Sequence, residues 1–270
     1  MKIGHHVRTS VSLVVAGSGI KFVSHLTQET QAYVRQADIV LHLMNDPAMK
    51  VWIEQNSQQA EALDHFYARF RLRRDCYRAI TEHILATVRK QQHVCVMLYG
   101  HPTVFAQPGR EAVRRALEEG IDAKILPGIS AEDCLFADLL IDPGTVGCQS
   151  FEATDFILHR RRFDDSSHLI LWQVSLIGVL DNPSNHDNRN GARCLVNYLS
   201  KSYSLDHEVI LYEAAQYPSF SATIQRLRLR DLPEAAFSRV ATLYIPPARR
   251  AVYDPDVLEA LNMPLADLIA

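Results

Sequence analysis

"HVCVMLYGHPTVFAQPGREAVRRALEEGIDAKILPG", His93 to Gly128, reads as a strand, a loop, a helix and a second strand. His93 to Gly100 is a short, nearly continuous apolar run, as expected of a strand buried on both faces. Arg110 to Gly120 carries apolar residues at helical spacing and stops at a glycine. "DAKILPG" is again a short buried strand. A helical crossover joining two such strands predicts a parallel sheet.

The same rhythm extends outward in both directions. Val11 to Ala16 is a strand ending in "GSG", Ala37 to Met44 is a second, and helices are predicted over Pro47–Asn56 and Arg73–Lys90. Ser130 is placed to cap the helix beginning "SAEDCL". The rhythm changes after Ile141–Ser150. Beyond it lie strands at His168–Gln173, His207–Ala214, "TIQRLRL" and Val240–Pro247, with one clear helix around Ala192–Tyr203. Their close succession predicts antiparallel pairing in a second, mixed α/β domain. Gly178–Gly191 reads as a long, mobile loop. The predicted organisation is residues 1–145 as a mostly parallel α/β domain, 146–250 as a mixed α/β domain, and 251–270 as a helical tail.

The chain has 270 residues, 47% of them hydrophobic and 22% charged, which is ordinary globular composition. A net charge of −3 disfavours a generally basic nucleic-acid binder. Five cysteines, none in a C-x-x-C pair, suggest neither a disulfide framework nor a zinc site. The apolar run near the N-terminus is too short to span a bilayer and has no signal-peptide exit, so a soluble, cytoplasmic protein without metal is expected. "GSGIKF" lacks the third glycine of a dinucleotide fingerprint, and the plainer reading is a tight turn.

"FYARFRLRRDCY", Phe66 to Tyr77, packs four aromatics and four arginines into twelve positions. Tyr77, Ile80, Ile84 and Val88 form an apolar helical stripe, and Arg73 precedes Tyr77 by one turn on the same side. An arginine there must either snorkel outward or meet a polar partner inside. Arg74, Asp75 and Arg78 point elsewhere and read as a solvated face.

Taken in order, "RRDCY", "LYGHPTVFA", "PGISAEDCLFADL", "QSFEA", "LILWQ", "DHEVILYEAA" and "ATLYIPPA" resemble the borosin peptide-backbone N-methyltransferases, within the tetrapyrrole-methylase superfamily. The likeness spans nearly the whole chain and is nearest to the split form, whose precursor peptide is a separate chain. It implies a two-domain α/β fold with S-adenosylmethionine in the cleft between the domains. It also implies a trans-acting enzyme that N-methylates backbone amides of a precursor with leader and core. The implied assembly is a homodimer, forming a heterotetramer with two peptides. The C-terminal sequence contains no long β-branched tract of the kind a fused substrate would carry, which fits that expectation.

By the same resemblance Arg73, Tyr77 and Tyr99 form the catalytic group, with Tyr67 in support. Such chemistry suits them, because an amide nitrogen is a poor nucleophile and a weak acid. The reaction wants a cation to hold charge on the carbonyl oxygen and a group to take the N–H proton. Which tyrosine takes it stays open at this level. Tyr99, His101, Val104 (through its main chain), Ala131, Gln173, Ala214, Ala241 and Thr242 carry over as cofactor contacts. Two alternatives remain: a precorrin-type tetrapyrrole C-methyltransferase with arginines clamping carboxylates, and a non-catalytic RNA-binding module using Arg69–Arg78.

Overall fold

Ten strands and ten α-helices, with three short 3-10 turns, make up the described residues, which in this computed structural model are 11–90, 93–181, 187–236 and 238–268. The chain divides into two units. The first comprises Met1–Leu140, Val179–His186 and Glu213–Thr223, and the second comprises Ile141–Gly178, Asp187–Tyr212 and Ile224–Ala270.

The first unit holds β1 (Ser12–Gly17), β2 (Ile39–Leu43), β3 (Ala60–Ala62), β4 (His93–Leu98) and β5 (Asp122–Leu126). They form one sheet in the order β3-β2-β4-β1-β5, with every pairing parallel. Its helices are α1 (Gln28–Gln36), α2 (Pro47–Asn56), α3 (His65–Arg69), α4 (Arg73–Val88), α5 (Gln107–Glu118) and α6 (Ala131–Leu139). Because strand side chains alternate, Leu13 and Val15 face one core with Ile80, Ile84 and Leu85 of α4. Val14 and Ala16 face the other, with Val34 of α1 and Ile53 of α2. Coverage on both faces is why the strands read as unbroken apolar runs.

Ser130 caps α6 as expected. Its hydroxyl accepts from Asp133 N–H at 3.2 Å, while the Asp133 carboxylate accepts from Ser130 N–H at 2.7 Å. α5 begins three residues earlier than its apolar spacing predicts, with Pro108 in its first turn, where a missing N–H costs nothing.

The second unit holds β6 (Cys148–Glu152), β7 (His168–Trp172), β8 (Glu208–Glu213), β9 (Thr223–Arg228) and β10 (Thr242–Ile245), in the order β6-β7-β10-β8-β9. β10 runs antiparallel to both β7 and β8, as their close succession predicts, and β6 is parallel to β7. Helices α7 (Pro143–Val146), α8 (Ala153–Leu158), α9 (Arg189–Leu199) and α10 (Pro255–Ala260) complete it. Phe156 of α8 is fully buried, with the rings of Phe151, Phe163 and Tyr198 at 5.2–5.5 Å. The expectation of one clear helix here is therefore corrected: α8 is a second, too short to show helical periodicity.

The stretch read as a mobile loop is also revised in part. Residues 182–186 lie outside the described residues, but Leu180 accepts the Arg73 N–H at 3.2 Å and Asp181 bridges to Leu72. α9 then begins at Arg189, inside the span assigned to the loop.

Candidate active site

The loops that close β1 and β4 are laced together. Gly19 and Gly100 exchange backbone hydrogen bonds at 3.2 and 3.1 Å, and Ser18 N–H donates to Leu98 at 2.8 Å. Gly17 has to be glycine, because a Cβ there would sit 2.2 Å from the Gly100 carbonyl oxygen. Gly19, at φ +68°, would drive a Cβ to 2.2 Å from that of His25. The His25 ring then accepts the N–H groups of Ile20 and Lys21 at 3.2 and 3.1 Å. α1 does not start until Gln28, so no helix N-terminus follows the glycine turn directly. A dinucleotide pyrophosphate needs that adjacency, and the tight-turn reading accounts for "GSG".

Arg73, Tyr77 and Tyr67 come together where α3 meets α4. All three are half-buried. The Arg73 guanidinium donates to the Val179 carbonyl oxygen, so the polar partner required on this stripe is main chain from a segment over a hundred residues away in sequence. Tyr67 and Tyr77 meet edge to face, with ring centroids 6.4 Å apart and planes at 88°. Burial pushes both phenols up. The neighbouring Tyr77 adds to the rise of Tyr67, while Tyr67 offsets a little of the rise of Tyr77. Arg73 offsets part of that rise for Tyr77, which still stands above its ordinary value, so its anion is the less disfavoured of the two.

Tyr99 keeps different company. It follows β4, and burial pushes it up to about 12, reinforced by Cys134, Glu213 and Asp46. Asp46 caps α2, accepting from Ala48 N–H at 3.0 Å, and also takes the Tyr217 hydroxyl at 2.6 Å. Phe22 N–H donates to Gln216 at 2.7 Å. These bonds hold Glu213–Thr223 against the loops of the first sheet. Neither Asp46 nor Glu213 is among the site residues expected from the sequence. The available signal was a carboxylate just beyond a strand end, where ligands of open α/β sheets bind.

His101 is engaged in its own turn: Nδ1 faces the Thr103 hydroxyl at 3.0 Å, and Val104 N–H donates to the His101 carbonyl at 3.1 Å. Ala131 opens α6, and Ala214 is buried in the segment held by Asp46 and Phe22. In the second unit, Ala241 and Thr242 are buried at the start of β10. Gln173 follows the end of β7 with φ 56° and ψ 34°, a left-handed conformation that costs a non-glycine residue roughly 1–2 kcal/mol. Unusual backbone of this kind tends to occur where side-chain placement matters. Among the described residues, no group of three or more His, Cys, Asp or Glu side chains is placed to hold a metal, and no helix is long and apolar enough to cross a membrane.

Residues 12–233 match the model for Tetrapyrrole (Corrin/Porphyrin) Methylases. The chain belongs to this family. Among curated relatives it is 38% identical over 262 residues to a methyltransferase/ribosomally synthesized type I borosin cyclic peptide precursor of Mycena rosella, covering 94% of this chain and 64% of the relative. It is 36% identical to the gymnopeptides precursor methyltransferase of Gymnopus fusipes, covering 96% and 62% respectively. The chain thus spans a little under two thirds of the length of these relatives. Among solved structures, uroporphyrin-III-C-methyltransferase from Thermus thermophilus superposes with a TM-score of 0.62 at 19% identity, covering 94% of this chain and 97% of that one. A cobalt precorrin-4 methyltransferase gives 0.61 at 16%, covering 88% and 95%. These two establish the tetrapyrrole-methylase fold, mixed α/β with two sheets.

Proposed function

We propose that this tetrapyrrole-methylase family member transfers methyl groups from S-adenosylmethionine to backbone amide nitrogens of a ribosomally made precursor peptide. The observation that carries the reading is the Arg73–Tyr77–Tyr67 group: a cation beside two half-buried phenols that meet edge to face. The borosin names of its relatives support the peptide class.

S-adenosylmethionine, when bound, supplies an electrophilic methyl on a sulfonium. The first unit fits such a cation, since the carboxylates of Asp46 and Glu213 both act on Tyr99. Tyr99, His101, Ala131, Ala214 and the Val104 main chain of that unit would hold it.

Arg73 gives one donor to Val179, and its other N–H groups are available to the carbonyl oxygen of the amide. There a permanent positive charge stabilises the imidate character that makes the nitrogen nucleophilic. The Tyr77 oxygen accepts the N–H proton as the nitrogen forms its bond to the methyl carbon, its own proton having passed to solvent. Arg73 and the Tyr67 hydroxyl offset part of the burial that otherwise keeps it protonated. Tyr67 donates throughout. Tyr99, held protonated by burial and two carboxylates, serves as a donor and a packing surface.

The reading extends to a precursor presented as a separate chain, a homodimeric enzyme and a heterotetramer with two peptides. Purified protein incubated with S-adenosylmethionine and a synthetic precursor should give peptide carrying added methyl masses on main-chain nitrogens. Methylation of a precorrin-type macrocycle, with no peptide modified, would overturn it. Sedimentation of the mixture should show two copies of each chain.

A further inference from the structure

The stretch from Arg69 to Arg78 holds five arginines and one aspartate, a local charge of +4 on a chain whose net charge is −3. Arg73 is committed to Val179, and Arg74 lies 3.3 Å from Asp75. The other three, Arg69, Arg71 and Arg78, are exposed, and among the described residues they have no ion-pair partner. Arg114 bonds Glu111 and Glu118 and Arg249 bonds Asp164 and Asp165, while among the described residues Arg35, Arg110, Arg160, Arg162, Arg239 and Arg250 are also exposed without an ion pair. What sets this stretch apart is that three such guanidiniums fall within ten residues that also hold Arg73 and Tyr77, on a chain of net negative charge.

The aromatics of the stretch decide what could finish it. Phe66 is buried, with the His83 ring at 5.4 Å, and Tyr67 and Phe70 pack on the same core. Single-stranded nucleic acid would want those rings as stacking platforms, and they are turned inward. What remains outside is a set of guanidiniums, whose planar forks match carboxylates. Arg69 to Arg78 also brackets Arg73 and Tyr77, so a segment docked there delivers the adjoining chain to those residues at high effective concentration.

We infer that Arg69, Arg71 and Arg78 form a docking surface for an acidic segment of the peptide substrate; this rests on the peptide reading of the reaction. The segment binds by long-range attraction and carboxylate pairing, and the core that follows it reaches Arg73 and Tyr77 by tethering. Such binding is salt-sensitive, because the surface is exposed.

The test uses fluorescence anisotropy of labelled oligo-glutamate, oligo-lysine and oligo-uridylate on the full chain. Oligo-glutamate should bind, and more weakly as salt rises. The variant Arg69→Gln/Arg71→Gln/Arg78→Gln should bind it roughly tenfold more weakly at low salt, and the corresponding triple Glu variant should lose it. Calorimetric affinity for S-adenosylmethionine should be unchanged in both, which shows that they are folded. Equal oligo-glutamate binding by all three proteins, or tighter binding of oligo-uridylate, overturns the inference. Methylation assays separate the two readings. If peptides are methylated while the substitutions leave oligo-glutamate binding intact, the docking surface alone fails. If oligo-glutamate binds as expected and no peptide is ever methylated, the reaction reading fails with the acidic docking surface standing.

Discussion

Substituting Arg73 removes two things at once, the bond to Val179 and the cation that lowers Tyr77. Arg73→Ala and Tyr77→Phe should each lower peptide turnover by about 10²–10³, the usual range for losing an electrostatic stabiliser or a proton acceptor. Cofactor affinity should stay near that of the parent chain, as neither side chain is among the proposed cofactor contacts. Single-turnover rates beside calorimetric affinity check this, and two near-parental rates would remove the chemistry assigned here. His42 makes a second prediction, concerning stability. It is buried on β2, its Nδ1 has no hydrogen-bond partner among the described residues, and burial lowers it from the ordinary value of 6.5. Lys50 lowers it further, while Asp64 and Glu54 raise it. A base harder to protonate when folded lets protons favour the unfolded chain. Its contribution is thus present above pH 6.5 and lost as the pH falls below that value. Urea midpoints should fall between pH 6.5 and about 5, and His42→Leu should flatten the slope.

At the scale of elements, Glu213–Thr223 is tied to the loops of the first sheet by the Tyr217 hydroxyl, which Asp46 accepts at 2.6 Å. Tyr217→Phe keeps the ring beside Phe22, whose centroid is 6.0 Å away, and deletes only that bond. Hydrogen exchange across this segment should then speed up while β1 and β4 keep their protection; unchanged exchange would show that the bond does not hold the segment. The bond was invisible in the sequence because its partners are 171 positions apart. The parallel strands, by contrast, were legible, being buried on both faces and thus continuously apolar. β3 and β6 were missed: "AEA" is three residues long, "CQSFE" is mixed in polarity, and each pairs on one side of its sheet. α3 and α8 span five and six residues, too few for a 3.6-residue period to declare itself. Arg73 and Tyr77 could be placed on one helical side from spacing alone, but not the carbonyl of Val179 that orients the guanidinium.

For the whole molecule, the order of the chain and the membership of its units diverge. The first unit takes Val179–His186 and Glu213–Thr223 from sequence flanked by the second. A fragment of residues 1–145 would keep all five parallel strands but lose both insertions. The Arg73 N–H and guanidinium would lose Leu180 and Val179, Leu72 its bridge to Asp181, Asp46 the Tyr217 hydroxyl, and Phe22 N–H the Gln216 carbonyl. Each polar group left unpartnered costs about 1–3 kcal/mol where water cannot replace the lost bond. A domain's net stability is about 5–15 kcal/mol, so losses at several such positions consume much of it. The fragment should therefore exchange its β1 and β4 amides far faster than the full chain and unfold at lower urea. A fragment spanning 1–223 restores both segments and should recover protection at the start of α4 and at Phe22. If residues 1–145 alone protected β1, β4 and the α4 start as well as the full chain does, the two insertions would be passengers on a self-sufficient sheet. Arg73 would then owe nothing to the carbonyl that holds it.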